Sequence, residues 1–281
     1  MEKKLPEKIK CVAVIVLIIG ILTLICTSGR IAYEVTDNFE CWRPNYEKED
    51  ISLILDKAEL EDEDYATLYA QTGLTKIGID RARERGASGK TRVLQIQSDY
   101  FEKHTVTHYK FAPYICTCNI GKDFIQNIYL EDGDVIVTSS TQFFGWRMGH
   151  AGIVTDGSNS FVLQATAIGD VSYVGNMKDF TNRITFMVLS PKVDEKIKKQ
   201  VVNYATKNLQ GIYYNPLRGA FSPKNSIKDT QCSHIVWYAY NQFGIDLDSN
   251  GGGIVTPRDL ANSPKMELVQ VFGFDPQKLW K

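Results

Sequence analysis

Cys232 lies in the segment Asp229-Thr230-Gln231-Cys232-Ser233-His234-Ile235-Val236-Trp237-Tyr238-Ala239-Tyr240, whose apolar spacing predicts a helix from about Gln231 to Phe243. Asp229 or Thr230 is a natural N-cap and Gly244 a natural stop. Cys232 then occupies the first turn, where unpaired N–H groups and the helix dipole stabilise negative charge. That setting lowers a thiol pKa, favours a thiolate nucleophile and leaves N–H groups to serve as an oxyanion hole. Ile235, Val236, Ala239, Tyr240 and Phe243 share one face, so the helix can be buried along its length.

Such a thiol needs a base, and the chain has four histidines. His234 is two positions along the same helix, about 200° of rotation away, so its ring should point elsewhere. His104 and His108 belong to a different part of the chain, among Thr, Val and Tyr. His150, in Gly149-His150-Ala151-Gly152-Ile153-Val154, begins a strand bordered by small residues that leave room for a substrate backbone. Gln164, polar within Phe161-Val162-Leu163-Gln164-Ala165, lies on the expected partner strand. Its amide can accept the imidazole proton and fix the tautomer. Thr166 or Asp170 could take that place, and a core Gln bonded to backbone is the structural alternative. Tyr213 and Tyr214, with Ser233, are the candidate substrate contacts; for the tyrosines, aromatic core packing explains the same residues equally well.

The elements that must position these residues form an α+β pattern. Short apolar runs at 134–139, 150–155, 160–167 and 184–189 read as strands, and Asp156-Gly157-Ser158-Asn159 supplies a hairpin turn between the second and third. Helices follow at 193–209 and 231–243. Upstream, helices are expected at 50–60, 63–71 and 76–85, then a Gly/Ser break at 86–89 and a strand marked by Val93, Leu94 and Ile96. The charge runs Glu61 to Asp64 and Arg81 to Arg85 read as solvated helix faces. The resulting organisation is a segment 1–29, a linker 30–49, a helical and extended lobe 50–127 and a site-bearing domain 128–281.

Lys3, Lys4, Lys8 and Lys10 precede an apolar run from Cys11 to Cys26, broken only by Gly20 and Thr23. Its length lies between a signal-peptide core and a full bilayer span, and an uncleaved membrane anchor is the favoured reading over cleavage near Ser28. The lysines should remain inside, placing residues after Arg30 outside the cytoplasm. A net charge of -1 without a basic stripe argues against a nucleic-acid partner. Outside the apolar run, Cys41, Cys116, Cys118 and Cys232 do not form a regular disulfide scaffold, although Cys41 could bridge to Cys116 or Cys118. His104 and His108 with Cys116 and Cys118 are an alternative zinc site, though not at zinc-ribbon spacing. The expected site needs neither metal nor cofactor.

Taken together, Asp134 to Thr138, Gly149 to Val154, Leu163 to Ala165 and Gln231 to Trp237 resemble the YiiX and YycO type of NlpC-like, papain-fold cysteine hydrolases. In this branch the His strand precedes the Cys helix, a circular permutation of the usual order. Tyr213-Tyr214-Asn215-Pro216 resembles the aromatic turn before the Cys helix, and Val255 to Leu260 the closing segment. The resemblance spans roughly Asp132 to Gly273, and Gln164 departs from the Glu common at its place. It implies a permuted papain-like domain, its antiparallel sheet packed on the Cys-bearing helix. It further implies a cysteine peptidase or amidase with Cys232 and His150 as catalytic residues and Gln164 in the third role. A bacterial cell-envelope peptide is the first expected substrate. A lipid acyl hydrolase or acyltransferase, and an inactive binding module, are the alternatives.

Overall fold

The computed structural model describes residues 7–35, 41–112, 115–121, 123–143 and 146–280. The chain is a mixed α+β protein with antiparallel sheets and one apolar N-terminal helix, α1 (Glu7–Val35). Within α1, Lys10–Thr27 has a mean hydropathy of 2.6 and buries no side chain against the rest of the protein. It is therefore long and apolar enough to cross a membrane. Residues 30–35, expected in the linker, continue this helix.

Four helices come next: α2 (Ser52–Leu55), α3 (Asp62–Thr72), α4 (Lys76–Glu84) and α5 (Gly86–Phe101). The strand expected around Val93 to Ile96 is instead the middle of α5. Val93, Ile96 and Tyr100 recur at helical spacing on its buried face, and a packed apolar stripe decides between helix and strand where a short apolar run cannot. The Gly86–Gly89 break is absorbed as a tight corner, because Gly89 lies against the Ala82 carbonyl where no side chain fits. The charge runs are not simply solvated faces either. Arg81 is buried and forked onto Asp134 (Nη1–Oδ2 2.6 Å, Nη2–Oδ1 3.1 Å), with Ser190 and Glu131 also in reach. Asp64 is buried and held by Lys57 at 2.7 Å. The Arg81 contacts bind the helical segment to the sheet, and the Lys57–Asp64 pair holds the segment to itself.

A small sheet contains β1 (Val106–Ala112), β2 (Ile115–Ile120), β4 (Thr141–Phe143) and β5 (Trp146–Arg147). The main sheet contains β3 (Val135–Thr138), β6 (His150–Asp156), β7 (Phe161–Gln164), β8 (Tyr173–Asn176), β9 (Phe186–Pro191) and β10 (Met266–Phe272). Its order is β10-β9-β3-β6-β7-β8, antiparallel throughout. The β6–β7 hairpin forms as expected, with Asp156 Oδ1 accepting from the Asn159 N–H at 2.8 Å. Strands β8 and β10 were not anticipated. The remaining helices are α6 (Lys178–Thr181), α7 (Glu195–Asn208), α8 (Cys232–Asn241) and α9 (Pro257–Ala261).

Each face of the main sheet carries its own apolar core. Val135, Val137, Ala151, Ile153 and Leu163 pack with α7 and α8, whereas Ile136, Val154, Val162 and Val188 pack with Phe180, Tyr100 and Ile120. This is the period-two alternation of a sheet covered on both sides. A third cluster, including Leu68, Ile79, Val93 and Tyr129, holds the helical segment. Residues 41–49, expected as linker, lie against this body: Trp42 donates its N–H to the Gly273 carbonyl, and the Gln71 side chain bonds the backbone of Glu47 and Glu49.

Candidate functional site

Helix α8 begins at Cys232, as its apolar pattern predicts, but its cap is Gln231. The expected caps are committed elsewhere: Asp229 pairs with Arg218 at 2.9 Å, and Thr230 bridges to Tyr214 and bonds His234. Gln231 Oε1 accepts from the Ser233 N–H at 3.0 Å, and its Nε2 donates to the Val255 carbonyl. Every residue from Cys232 to Tyr240 is buried, because the helix is covered on all sides and not on one face alone.

Cys232 is 6% exposed. Its thiol donates to Gln231 Oε1 at 3.4 Å. The backbone N–H of Ala151, the residue after His150, points at the sulfur, as do N–H groups of the α8 N-terminus. Burial nevertheless dominates and pushes the thiol pKa above its ordinary value, against these donors. The expected resting thiolate is corrected to a neutral thiol: desolvation outweighs the helix terminus.

His150 starts β6 after Gly149, which takes the left-handed conformation (φ 73°) in a space closed by the Thr138 carbonyl and the Trp280 ring. The imidazole is 8% exposed and stacks on Phe180 at 4.9 Å between ring centroids. Burial pulls its pKa down to about 4, the Gln164 hydrogen bond opposing and Arg183 assisting. Thiol and imidazole therefore both rest uncharged. Among the described residues no hydrogen bond joins the Cys232 sulfur to the His150 ring; the two meet through the Ala151 backbone.

Gln164 ends β7 and is fully buried, bonded to side chains and not, as its alternative had it, to backbone. Its Oε1 lies 2.8 Å from His150 Nε2, and its Nε2 donates to Asp179 Oδ2 at 2.6 Å and to the Tyr173 hydroxyl at 3.3 Å. A carboxylate oxygen accepts only. Asp179 thus orients the amide so that Oε1 faces the imidazole, Nε2 of His150 carries the proton, and Nδ1 keeps a lone pair. Asp179 had no signal of its own in the sequence, since the short helix α6 that brings it beneath Gln164 has no long periodic run. Thr166 and Asp170 bond to each other at 3.4 Å.

His234 is excluded as the base. It is fully buried with both nitrogens engaged, Nδ1 2.9 Å from Thr230 Oγ1 and Nε2 2.8 Å from the Lys224 carbonyl. Burial pulls its pKa down to about 4 as well. Ser233 is corrected from substrate contact to structural residue: it is fully buried, its hydroxyl 2.9 Å from both Gln231 Oε1 and the Val255 carbonyl. Tyr214 is half-buried beside the site, its pKa pushed up by burial and then by Cys232, while Tyr213 is exposed.

Of the zinc candidates, His108 meets Cys118, whereas His104 is engaged elsewhere. His104 lies against the Phe272 ring and bonds the Asp99 carbonyl at 3.3 Å; His108 Nδ1 is 3.5 Å from Cys118 Sγ. Among the described residues no group of three or more His, Cys, Asp or Glu is placed to hold a metal ion, and the side chain of Cys116 lies outside the described set. Cys41 is a free thiol. Comparison with known protein families, curated proteins and solved structures finds no match to this chain.

Proposed function

We propose that this chain is a thiol hydrolase of the permuted papain-like kind, with Cys232 as nucleophile and His150 as base. One observation carries the reading: the Cys232 sulfur sits at a helix N-terminus against the residue that follows His150, and the far nitrogen of that imidazole is held by Gln164 and, through it, Asp179. In the reaction, the sulfur turns from the Ala151 N–H toward His150 Nδ1, which takes the thiol proton as sulfur bonds to the substrate carbonyl carbon. The imidazolium then protonates the leaving amine or alkoxide as the C–N or C–O bond breaks. Water, deprotonated by the same Nδ1, releases the acid and regenerates the thiol. In this reading the α8 N-terminal N–H groups and that of Ala151, which point at the sulfur, hold the oxyanion.

The first substrate class is an amide of cell-envelope peptide material, met outside the cytoplasm by a body held on α1 as a single-pass anchor. The lysines before the apolar run support that orientation. Ester or amide bonds of lipid are the second class, favoured by apolar side chains around the site. The test is to trap an acyl adduct on the Cys232 peptide by mass spectrometry, using purified wall and phospholipid in parallel. The adduct should vanish in Cys232→Ala and fall in His150→Ala. An adduct that persists in Cys232→Ala would refute the nucleophile, and one from lipid alone would remove the wall substrate.

A further inference from the structure

Large apolar side chains stand in water around the Cys232 end of the main sheet. Phe221 is 88% exposed, Ile168 71%, Tyr213 69% and Leu217 55%. They come from two loops that backbone contacts tie together and to a third. The 165–172 loop is laced to 211–214, where Ser172 donates its N–H to the Ile212 carbonyl and Tyr214 its N–H to the Asp170 carbonyl. The following turn meets the 250–255 loop where Gly219 lies against Gly253 too closely for any side chain, which brings in Ile254. That last loop accepts from Gln231 and Ser233 at Val255. Buried Arg218, bonded to Ser222 (3.0 Å), Asp229 (2.9 Å) and the Pro223 and Ser226 carbonyls, holds the turn that presents Leu217 and Phe221. The patch is therefore a fixed surface and not a set of loose tips.

The body that follows the apolar helix begins at the same end. Trp42 bonds Gly273, next to Phe272, which pairs with Phe186; Met187 pairs with Val137, and Thr138 with His150. The register thus puts the docking point of residue 42, the start of β6 and the end of β7 at one end of the sheet, and the 157–160 turn at the other. From Thr27 to Trp42 the chain can reach at most roughly 35 Å, about 12 Å as helix and the rest extended. A body on so short a tether, attached at that end, turns that end toward the bilayer.

We propose that this apolar rim seats on the lipid surface that α1 crosses, so that the Cys232 end of the sheet lies at headgroup level and takes its acyl substrate from an amphiphile. The seating rests on α1 as the anchor, and the acyl substrate rests on the role proposed above for Cys232.

The test uses the full chain in vesicles of phosphatidylethanolamine and phosphatidylglycerol, with a benzophenone amino acid placed singly at Phe221, Ile168, Ser158 or Leu17. Lipid adducts are read by mass spectrometry. Adducts are expected at 221, 168 and 17 and not at 158, and the same pattern in Cys232→Ala. Leu217→Asp, an exposed position, should lower the yield at 168 by about tenfold by removing apolar contact and adding a charge at the interface. Labelling at 17 without 221 and 168, protein adducts at 221 in place of lipid, or equal labelling at 158 would each overturn the proposal. Failure at 17 would overturn the anchor itself. Acyl trapping on Cys232 is scored separately, so loss of activity cannot be mistaken for loss of the surface.

Discussion

Lowering the pH from 7 to 4 should destabilise this protein chiefly through His150 and His234. Each titrates at 6.5 in the unfolded chain and at about 4 in the folded one, because burial disfavours the charged ring. Between those values the unfolded state binds more protons, so stability is fully present above pH 6.5 and is lost as pH falls toward 4. The loss is roughly 3 kcal/mol per histidine, at a slope of about 1.4 kcal/mol per pH unit each. Urea unfolding of the full chain in detergent, at half-unit steps from pH 7 to 4, measures the combined slope, expected near 2.7 kcal/mol per pH unit. In His150→Asn the slope should fall to about half. Asp99, whose carboxyl burial holds above its usual range, titrates alike in both proteins and cancels from the comparison. An unchanged slope in His150→Asn would refute the dry, neutral site: the imidazole would then titrate in the native state as it does in water.

Asp179→Leu removes the acceptor that fixes the Gln164 amide. A charge-assisted hydrogen bond of about 1.5–3 kcal/mol corresponds to about 10- to 100-fold in acylation rate, whereas Asp179→Asn, which still offers an oxygen, should lose less. Nitrogen chemical shifts of the His150 ring should report a mixed tautomer in the Leu variant only; equal rates in all three proteins would remove Asp179 from the site. Gly149→Ala puts a methyl group against the Thr138 carbonyl and Trp280 at a positive φ, and should cost about 1–3 kcal/mol in urea unfolding and slow acylation by displacing His150. Arg81→Leu leaves buried Asp134 with Lys198 at 3.8 Å and the Glu131 N–H at 2.9 Å in place of a bidentate guanidinium, and should destabilise by about 3–5 kcal/mol in the same assay.

Periodicity alone determined much of this protein. The apolar runs at 134–139, 150–155 and 184–189 became strands within a residue or two, helices 193–209 and 231–243 formed with frayed ends, and Cys232 landed in the first helical turn because local spacing sets rotation about a helix axis. The same rotation removed His234 from the base role, and its two occupied nitrogens agree with that. The sequence could not tell that Val93 to Ile96 is helical, because a short apolar run fits either period until a neighbour such as Tyr129 defines its buried face. Nor could it choose the cap: Thr230 was drawn off by a long-range bridge to Tyr214, leaving Gln231 to take its place.

The charge states were decided in three dimensions. A helix terminus in the sequence argues for a thiolate, but desolvation is a property of everything that covers the sulfur, and here it wins. Ser233 likewise stands beside the nucleophile in the chain and faces Val255 in the fold. Asp179 lies 15 residues from Gln164. Only the packing of α6 under the sheet reveals that its carboxylate sets the amide, and through the amide the proton of His150.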